Sequence, residues 1–347
     1  METKMREAWA RVLPAGWVAR AATTDDVDGI VEMMNARTQA FYGENQTTSH
    51  DVEMWWSSPR FRLDADLRLV LDESGIVAGL VSVDNPGEPY AQIECSAIVH
   101  PRYEGSTELW DGLFQWGLER ARELVPLATE EVRVEAQCSS VAKDTARRAA
   151  LERAGFRAVR VANHMRIELS SPIPVARWPK GITVRNVQVE EDLPALVRLF
   201  LESWRDHWGF VVRPYEQTLA DWRDWVKKDG DRFDPTLWFL AAEGREVVGI
   251  SLCDSHIADD ATRGYVNALG VRPAWRKRGI ALALLHHSFA EFQRRGYAAV
   301  ELDMDSQNLT GARRVYERAG MRAVRQFVWY EKELRAGTDL ATRKLAE

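Results

Sequence analysis

A nine-residue segment occurs twice in this sequence, far apart along the chain. Residues 152–160 and 317–325 are identical at eight of nine positions, and the two copies begin 165 residues apart. That separation is longer than the period of any solenoid repeat, so it indicates a duplicated domain. A chain of 347 residues is also long for one compact domain and natural for two.

The duplication sets the predicted domain boundaries. We expect a first domain at residues 1–170, a Pro-rich linker at residues 171–181, a second domain at residues 182–334 and a polar tail at residues 335–347. In each domain, runs of β-branched residues alternate with helical patterns, and each domain is predicted to end in a two-stranded hairpin. This order predicts the α/β class, with a mixed central sheet flanked by helices in both domains.

Composition and charge exclude several classes of protein. The net charge is −6 and no predicted domain is basic overall, which argues against a nucleic-acid partner. Cys95, Cys138 and Cys253 lack the spacing of metal ligands, so no metal site is predicted and the expected location is cytoplasmic. No apolar run is long enough to span a bilayer, and the charged N-terminal residues do not form a signal peptide. We therefore expect no membrane partner, and a monomer or a homodimer.

The turn that follows the strand at residues 265–271 carries the clearest functional pattern. Pro273 ends this strand because it has no N–H for the ladder, and Gly279 opens an apolar-periodic helix. A helix N-terminus offers unpaired N–H groups and a dipole that favours anions. The turn also contains three cations, Arg276, Lys277 and Arg278. Gly279 and Ala281 are small enough for a ligand to approach the backbone, so the turn is predicted to bind a pyrophosphate.

The turn is similar to neither of the two commonest phosphate-binding loops. It lacks the Gly-Lys-Ser/Thr ending of a P-loop and the G-x-G-x-x-G spacing of a dinucleotide-binding fold. The pattern Arg276-x-x-Gly279-x-Ala281 resembles motif A of the GNAT superfamily, the Gcn5-related N-acetyltransferases, and residues 316–321 resemble its motif B at the matching distance. The resemblance covers both halves of the chain and is closest to the tandem, mycothiol synthase-like type.

This resemblance implies an acyl-CoA-dependent N-acetyltransferase that uses acetyl-CoA as co-substrate. The acetyl group would pass to a primary amine of a small molecule, by direct attack in a ternary complex in the second domain. Backbone groups of residues 269–271 would pair with the pantetheine arm, and Tyr316 would protonate the departing thiolate. The residues implied in cofactor binding are Leu269, Gly270, Val271, Arg276, Lys277, Arg278, Gly279, Ile280, Ala281 and Asn308.

Two features of the chemistry stay open in the sequence. Gly270 fits either a bulge that separates its strand from a neighbour and frees backbone groups for the ligand, or a plain tight spot in the sheet. The sequence does not identify the general base, because the strand at residues 265–268 contains no carboxylate. The candidates near strand ends, acting through a water, are Asp254, His256, Glu301 and Asp303.

The first copy departs from the pattern at the positions that matter for catalysis. Thr107 stands where Gly or Ala is expected, and Glu104 places a negative charge where the phosphates would lie. Leu151 occupies the place of Tyr316, and Lys143 occupies the place of Asn308. A leucine cannot donate a proton, so the first domain is predicted to be catalytically silent.

The acceptor pocket is the least determined part of the prediction. In this superfamily it is built by the first two helices, their loop and the last hairpin. In the second copy these elements supply Trp204, His207, Trp208, Phe210, Tyr215, Trp222, Trp225 and Trp329. Such a wall suits a small amphipathic amine or an amino sugar, although Trp222 and Trp225 are expected to be helix core. The alternatives are a protein or peptide N-acetyltransferase, with an open groove, and a non-catalytic acyl-CoA-binding module.

Overall fold

Two compact units make up the described part of the chain. The computed structural model describes residues 13–230, 233–258, 260–306 and 312–343. The first unit contains the described residues up to 161 together with residues 327–340. The second unit contains the described residues from 162 to 326 together with residues 341–343. Each unit therefore takes one segment from beyond the predicted domain boundary.

The first unit is a mixed sheet with helices. Its strands are β1 (Val18–Ala21), β2 (Leu67–Leu71), β3 (Val77–Asp84), β4 (Gln92–Val99), β5 (Val134–Val141) and the end of β12 (Arg322–Arg335). Its helices are α1 (Val27–Tyr42), α2 (Ser49–Trp56), α3 (Leu63–Asp66), α4 (Thr107–Leu124) and α5 (Thr145–Arg153). The strand order is β1-β2-β3-β4-β5-β12, and only the β4–β5 pair is parallel.

The second unit repeats this plan. Its strands are the end of β6 (Arg157–Glu168), β7 (Ile182–Asn186), β8 (Trp238–Glu243), β9 (Glu246–Asp254), β10 (Arg263–Val271) and β11 (Ala299–Asp305). Its helices are α6 (Val189–Trp204), α7 (Tyr215–Asp229), α8 (Ile280–Arg294) and α9 (Ala312–Arg318). The strand order is β7-β8-β9-β10-β11-β6, and only the β10–β11 pair is parallel. The predicted α/β class and mixed sheets are confirmed.

The two units exchange their last strands, which the sequence did not indicate. Residues 162–168 of β6 pair antiparallel with β11 in the second unit, from Ala299↔Glu168 to Asp305↔Ala162. Residues 327–335 of β12 pair with β5 in the first unit. The predicted terminal hairpins are wrong, because β6 and β12 are each one long strand without a turn residue in the middle. The expected boundary at residue 170 thus falls after a segment that packs in the second unit.

The residues predicted to form a linker are ordered in the second unit. The Gln293 side chain on α8 donates hydrogen bonds to the carbonyl oxygens of Leu169 (2.7 Å) and Ser171 (2.8 Å). Trp178 packs against the core cluster that includes Phe239 and Leu284. Residues 171–181 are therefore held against the unit.

The sheet of the second unit has a helix pair on each face. On one face, Leu285 and Phe289 of α8 and Tyr316 of α9 pack in one core cluster with strand residues of β6, β10 and β11. On the other face, α6 and α7 pack in a second cluster over β8, β9 and the middle of β10. The alternation of apolar residues along β10 and β11 places their side chains on both faces, as burial of a central sheet requires.

Removing the exchanged strand should destabilise the second unit on its own. Met165 and Ile167 of β6 are buried in its core, and each contributes about 2 kcal/mol by burial of apolar area. We expect a fragment of residues 171–347 to melt about 10 °C or more below a fragment of residues 162–347, or to be unfolded. Thermal denaturation followed by circular dichroism measures the difference, and equal melting temperatures would contradict the strand exchange.

Candidate functional site

The parallel ladder between β10 and β11 stops early and leaves a gap in the sheet. Pairing runs from Arg263↔Ala299 to Tyr265↔Glu301, although β10 continues to Val271 and β11 continues to Asp305. Beyond Tyr265, the edge of β10 that faces β11 has no strand partner among the described residues. A row of unpaired backbone groups in a sheet is a template for an extended ligand.

The bulge in β10 lies at Asn267 and not at Gly270. The register with β9 shifts between Val266 and Ala268, whereas Gly270 pairs regularly with Ile250. Of the two alternatives for Gly270, the structure agrees with the tight spot and not with the bulge. A Cβ at Gly270 would lie 2.7 Å from the Trp204 ring, so glycine is required there because the end of α6 packs directly on the strand.

The turn that precedes α8 has the shape of an anion site. After a short 3-10 turn at Pro273–Trp275, Lys277 has a φ of 61° and Gly279 has a φ of 91°, both in the left-handed region. Among the described residues, no side chain caps the N-terminus of α8, and, apart from the chain neighbours of Gly279, no atom lies within 4 Å of a Cβ built on this glycine. The first N–H groups of α8 therefore point into open space, as the sequence predicted for this turn.

Two of the three predicted cations are engaged by carboxylates of the protein. Arg276 forms an ion pair with Asp206 and donates to Ser203 O (2.9 Å), which ties it to the end of α6. Arg278 Nη2 lies 2.7 Å from Glu243 Oε1. Through these contacts Arg276 attaches the turn to the end of α6. Lys277, in contrast, is exposed beside the N-terminus of α8.

The other predicted cofactor residues lie around the same turn. The Val271 carbonyl accepts a hydrogen bond from Arg276 Nε (3.2 Å), so this carbonyl is engaged within the protein. Leu269 packs on the core, Ile280 is buried in it, and Ala281 is half-buried at the second position of α8. Asn308 lies outside the described residues.

Tyr316 lies on α9, beside the gap. Its ring belongs to the core cluster that includes Val266 of β10 and Leu302 and Met304 of β11, and it is 9% exposed. Burial raises the pKa of Tyr316 to about 12, so its hydroxyl keeps its proton at neutral pH. The phenol is therefore in the protonated form that a proton donor requires, although its raised pKa makes it a weaker acid than an exposed tyrosine.

Among the candidate bases, Asp254 is a carboxyl whose pKa is raised toward neutrality. It ends β9 opposite Tyr265, and it accepts a hydrogen bond from Asn267 Nδ2 (3.1 Å) at the bulge. Burial raises the pKa of Asp254 to about 6, against the opposing effect of that hydrogen bond. His256 is further along the loop, where its Nδ1 lies 2.9 Å from Ser255 Oγ.

His164 is a site residue that sequence reasoning missed. It lies on the exchanged part of β6, with Nδ1 2.6 Å from Asp303 Oδ1 and Nε2 2.5 Å from Glu301 Oε2. Burial lowers the pKa of His164, but the hydrogen bonds to the two carboxylates outweigh burial and hold that pKa above its ordinary value. The available signal was the alternation of His164 and Arg166 with the apolar Met165 and Ile167, which gives the strand one polar face.

In the first unit, the N-terminus of the corresponding helix, α4, is capped by the chain itself. Ser106 caps α4, because its Oγ accepts a hydrogen bond from Leu109 N (3.2 Å). The carbonyl of Glu104 accepts a hydrogen bond from Trp110 Nε1 (2.9 Å), which folds the turn onto the helix. The N–H groups that an anion would need are therefore partly satisfied by the chain itself.

Side chains also occupy the equivalent ladder gap in the first unit. Pairing of β4 with β5 ends at Glu94↔Gln137. Beyond it, Arg147 Nη2 donates to Ser96 Oγ on β4 (2.8 Å) and contacts Cys138 Sγ on β5 (3.3 Å). Arg37, which is 6% exposed, donates to the Val99 carbonyl (2.6 Å). Leu151, at the place of Tyr316, is fully buried.

Several of the aromatic residues predicted for the acceptor wall pack against other aromatic residues of the second unit, such as Phe200 and Trp238. Trp225 and Trp238 stack with their ring centroids 6.0 Å apart, and the ring centroids of Trp222 and Phe200 are 5.3 Å apart. The expectation that Trp222 and Trp225 are helix core agrees with this packing. Trp329 lies on β12 in the first unit, opposite Ser139. The remaining members on the α6–α7 loop and its borders are Trp204, His207, Trp208, Phe210 and Tyr215.

Three acidic residues on α6, α7 and the loop between them have arginine partners. Asp206 pairs with Arg276, Asp221 Oδ2 lies 2.7 Å from Arg213 Nη2, and Glu202 lies 3.5 Å from Arg272. Across the described ranges, no group of three or more His, Cys, Asp and Glu is placed to hold a metal ion. No helix in those ranges is both long and apolar enough to cross a membrane.

Comparisons with known proteins agree with this geometry. Residues 193–321 match the model of the acetyltransferase (GNAT) family. A solved GCN5-related N-acetyltransferase from Sphaerobacter thermophilus is 33% identical, with a TM-score of 0.78 over 94% of this chain and 99% of that one. The chain belongs to the GNAT family. This membership confirms the prediction of an acyl-CoA-dependent N-acetyltransferase.

Tandem members of the GNAT family provide the next comparisons. The mycothiol acetyltransferase of Thermomonospora curvata is 30% identical over 263 residues, which cover 75% of this chain and 80% of that protein. The match to the mycothiol acetyltransferase of Thermobispora bispora, 30% identical over 169 residues, covers 48% of this chain and 55% of that relative. A tandem GNAT protein from the clavulanic acid biosynthesis pathway shares the fold, with a TM-score of 0.66 at 15% identity over 93% of this chain and all of that one.

Replacing Asp254 should make this GNAT protein more stable at neutral pH. In the folded state the Asp254 pKa of about 6 lies above the ordinary value of 3.8, so ionisation costs free energy that the unfolded chain does not pay. We expect Asp254→Asn to raise the free energy of unfolding by about 2–3 kcal/mol at pH 8, and by less than about 1 kcal/mol at pH 4. Urea denaturation at the two pH values measures the gain.

The control for this prediction is an exposed aspartate. Asp224 on α7, whose side chain is 39% exposed, pairs with Lys228 one turn along the helix, so Asp224→Asn should change the unfolding free energy by less than about 0.5 kcal/mol at both pH values. An Asp254→Asn variant that gains no stability at pH 8, or gains the same amount at pH 4, would contradict the assignment.

Proposed function

We propose that this protein transfers an acetyl group from acetyl-CoA to a primary amine of a small molecule, in the second unit. The observation that carries the proposal is the gap in the β10–β11 ladder, which lies directly before an uncapped helix N-terminus. Together they offer an extended slot for the pantetheine arm and an anion site for the pyrophosphate. In the first unit, the equivalent features are filled by Arg37, Arg147 and Ser106.

The cofactor would be held mainly by backbone groups. The free edge of β10 at residues 266–271 would pair with the pantetheine amides, and the N–H groups that follow Gly279 would bind the pyrophosphate. Lys277 adds a positive charge beside this site, and Arg278 can exchange its contact with Glu243 for a phosphate oxygen, because that ion pair is exposed at the surface. Arg276 keeps the turn attached to α6.

The chemical step needs a base on one side of the thioester and an acid on the other. The amine nitrogen attacks the thioester carbonyl carbon, the C–S bond breaks, and the sulfur leaves as a thiolate. Asp254 accepts a proton from the amine through a water, because its pKa of about 6 makes it a stronger base than an ordinary aspartate. Tyr316 gives its hydroxyl proton to the thiolate, since it stays protonated at neutral pH.

The similarity to mycothiol acetyltransferases supports a small-molecule acceptor. The name of these relatives refers to a small thiol, and the match to the Thermomonospora curvata enzyme extends over 75% of this chain. The half-buried aromatic residues around the α6–α7 loop also favour a compact amine over an extended peptide. The acceptor class that we propose is therefore a small amine.

Blocking the anion site should abolish acetyl-CoA binding. In the Gly279→Trp variant, an indole would occupy the open space at the α8 N-terminus. We expect isothermal titration to give one acetyl-CoA site per wild-type chain, and at least a hundredfold weaker binding in the variant, by loss of several charge-assisted hydrogen bonds.

Gly296→Trp provides a matched control. Gly296 follows the other end of α8, has a φ of 85° and also has open space where a Cβ would lie. The two variants therefore share the backbone strain of a left-handed tryptophan, but only Gly279→Trp fills the proposed pyrophosphate site. Undiminished affinity in Gly279→Trp, or equal losses in both variants, would contradict the placement.

Removing the Tyr316 hydroxyl should slow turnover and leave cofactor binding intact. We expect Tyr316→Phe to lower kcat by about 10- to 1,000-fold, the usual range for a general acid, because the ring still fills the same core site. Mass spectrometry of acetylated product, with D-glucosamine, tyramine and L-lysine as trial acceptors, measures the rates. A fully active variant with the same acetyl-CoA affinity would remove Tyr316 from the mechanism.

A further inference from the structure

Within the described residues, the second unit's sheet leaves one face open to an acceptor near the ladder gap. Helices α8 and α9 cover the first face, where Tyr316, Val266 and Leu302 share one core cluster. On the opposite face, α6 and α7 cover Ile250, Leu252 and Ala268. Further along that face, the side chains of Asn267 and Asp303 are exposed on either side of the gap. An amine that approaches a thioester held in the gap therefore meets these two side chains.

Asp303 is an exposed carboxylate that is held in one orientation. Its side chain is 51% exposed, yet both of its oxygens accept hydrogen bonds from the protein. Oδ1 lies 2.6 Å from His164 Nδ1, and Oδ2 accepts from the Tyr265 hydroxyl at 3.0 Å. Each carboxylate oxygen has a second acceptor position, so Asp303 can still bind a cation from the open side.

His164 is fixed from behind by a buried carboxylate. Glu301, which is 0% exposed, contacts His164 Nε2 and also accepts from Arg166 Nε (2.5 Å) and Arg263 Nη1 (3.4 Å). Both ring nitrogens of His164 therefore face carboxylates, the arrangement in which an imidazolium donates at both positions. The Tyr265 ring stacks on the imidazole, with centroids 6.2 Å apart.

Burying such a network of charged side chains in a sheet costs desolvation free energy. A set of charged side chains in a low-dielectric interior contributes little net stability compared with apolar residues of the same size, so its presence calls for another role. Its effect here is geometric, because it fixes the direction of one exposed carboxylate beside the gap. Rigid support from behind is what a ligand-binding group requires.

We propose that Asp303 is the anionic subsite that receives the ammonium group of the acceptor, and that His164, from the exchanged strand, is the residue that positions it. This inference rests on the proposed function and extends it, because it assigns the acceptor a positive charge at the binding stage. It also means that the acceptor site of the second unit is completed by a residue encoded before residue 170.

The test separates acceptor binding from chemistry. The acceptor is whichever of D-glucosamine, tyramine and L-lysine the wild-type protein acetylates fastest, with acetyl-CoA saturating. We expect Asp303→Asn to raise the KM for that amine by about 10- to 100-fold, the effect of losing one charge-assisted contact, with kcat changed by less than about threefold. His164→Gln should raise the same KM while leaving the Asp303 carboxylate in place.

Glu168→Gln is the matched control. Glu168 lies on the same strand and sheet face as His164, and its side chain is 47% exposed, close to the 51% of Asp303. This variant should leave both KM and kcat unchanged. The acetyl-CoA affinity and the melting temperature of Asp303→Asn should also match those of the wild type, which keeps the test valid if His164→Gln fails to fold.

Other outcomes would overturn the inference. A fall in kcat at unchanged KM would give Asp303 a role in the chemical step, and an Asp303→Asn variant with wild-type KM would remove it from the site. A rise in KM equal to that of Glu168→Gln would point to a general charge effect. If the wild type binds acetyl-CoA but acetylates none of the three amines, the proposed function itself fails, and this result is distinct from the others.

Discussion

The functional architecture depends on a parallel ladder that stops after three residue pairs. Parallel strands normally hide all their backbone groups in a sheet, and here β10 keeps one edge free beyond Tyr265. The crossover helix between the two strands, α8, begins beside the same opening because the turn after β10 must return the chain over the sheet. The slot and the anion site are therefore consequences of a single connection.

Both units contain this connection, and they differ in which groups occupy the opening beside it. The first unit closes the opening with its own guanidinium groups and caps its helix with Ser106, so its polar groups are satisfied internally. The second unit leaves the helix N-terminus uncapped and supports the opening with Arg276 and the residues around it. This contrast agrees with the predicted silence of the first copy, on structural grounds that its sequence departures alone did not supply.

The sequence was most informative where the chemistry requires particular residue types. The turn at Gly279 was predictable because only glycine adopts a φ of 91° at low cost, and the surrounding cations are local in sequence. The assignment of Tyr316 came from the resemblance of residues 316–321 to motif B of the GNAT superfamily. By contrast, the bulge at Asn267 depends on how β9 and β10 align across a hairpin, and glycine at position 270 serves the packing of Trp204.

The exchange of strands could not be read from local patterns. A strand of residues 157–168 looks the same whether it pairs within its own half or with β11, since hydrophobic alternation fixes the faces of a strand and not its neighbour. For that reason His164 was assigned to the first domain, and its contacts with Glu301 and Asp303 were not foreseen. The arginines of the turn were expected to face phosphate, but Arg276 is held by Asp206, a residue 70 positions earlier in the chain.

Hydrogen–deuterium exchange with and without acetyl-CoA tests the central claim most directly. If the free edge of β10 pairs with the pantetheine arm, peptides that cover residues 266–271 and the first turn of α8 should gain protection when acetyl-CoA is added. Peptides that cover residues 95–99 and the first turn of α4 should not change. Protection in the first unit, or no change at β10 and α8, would contradict the account.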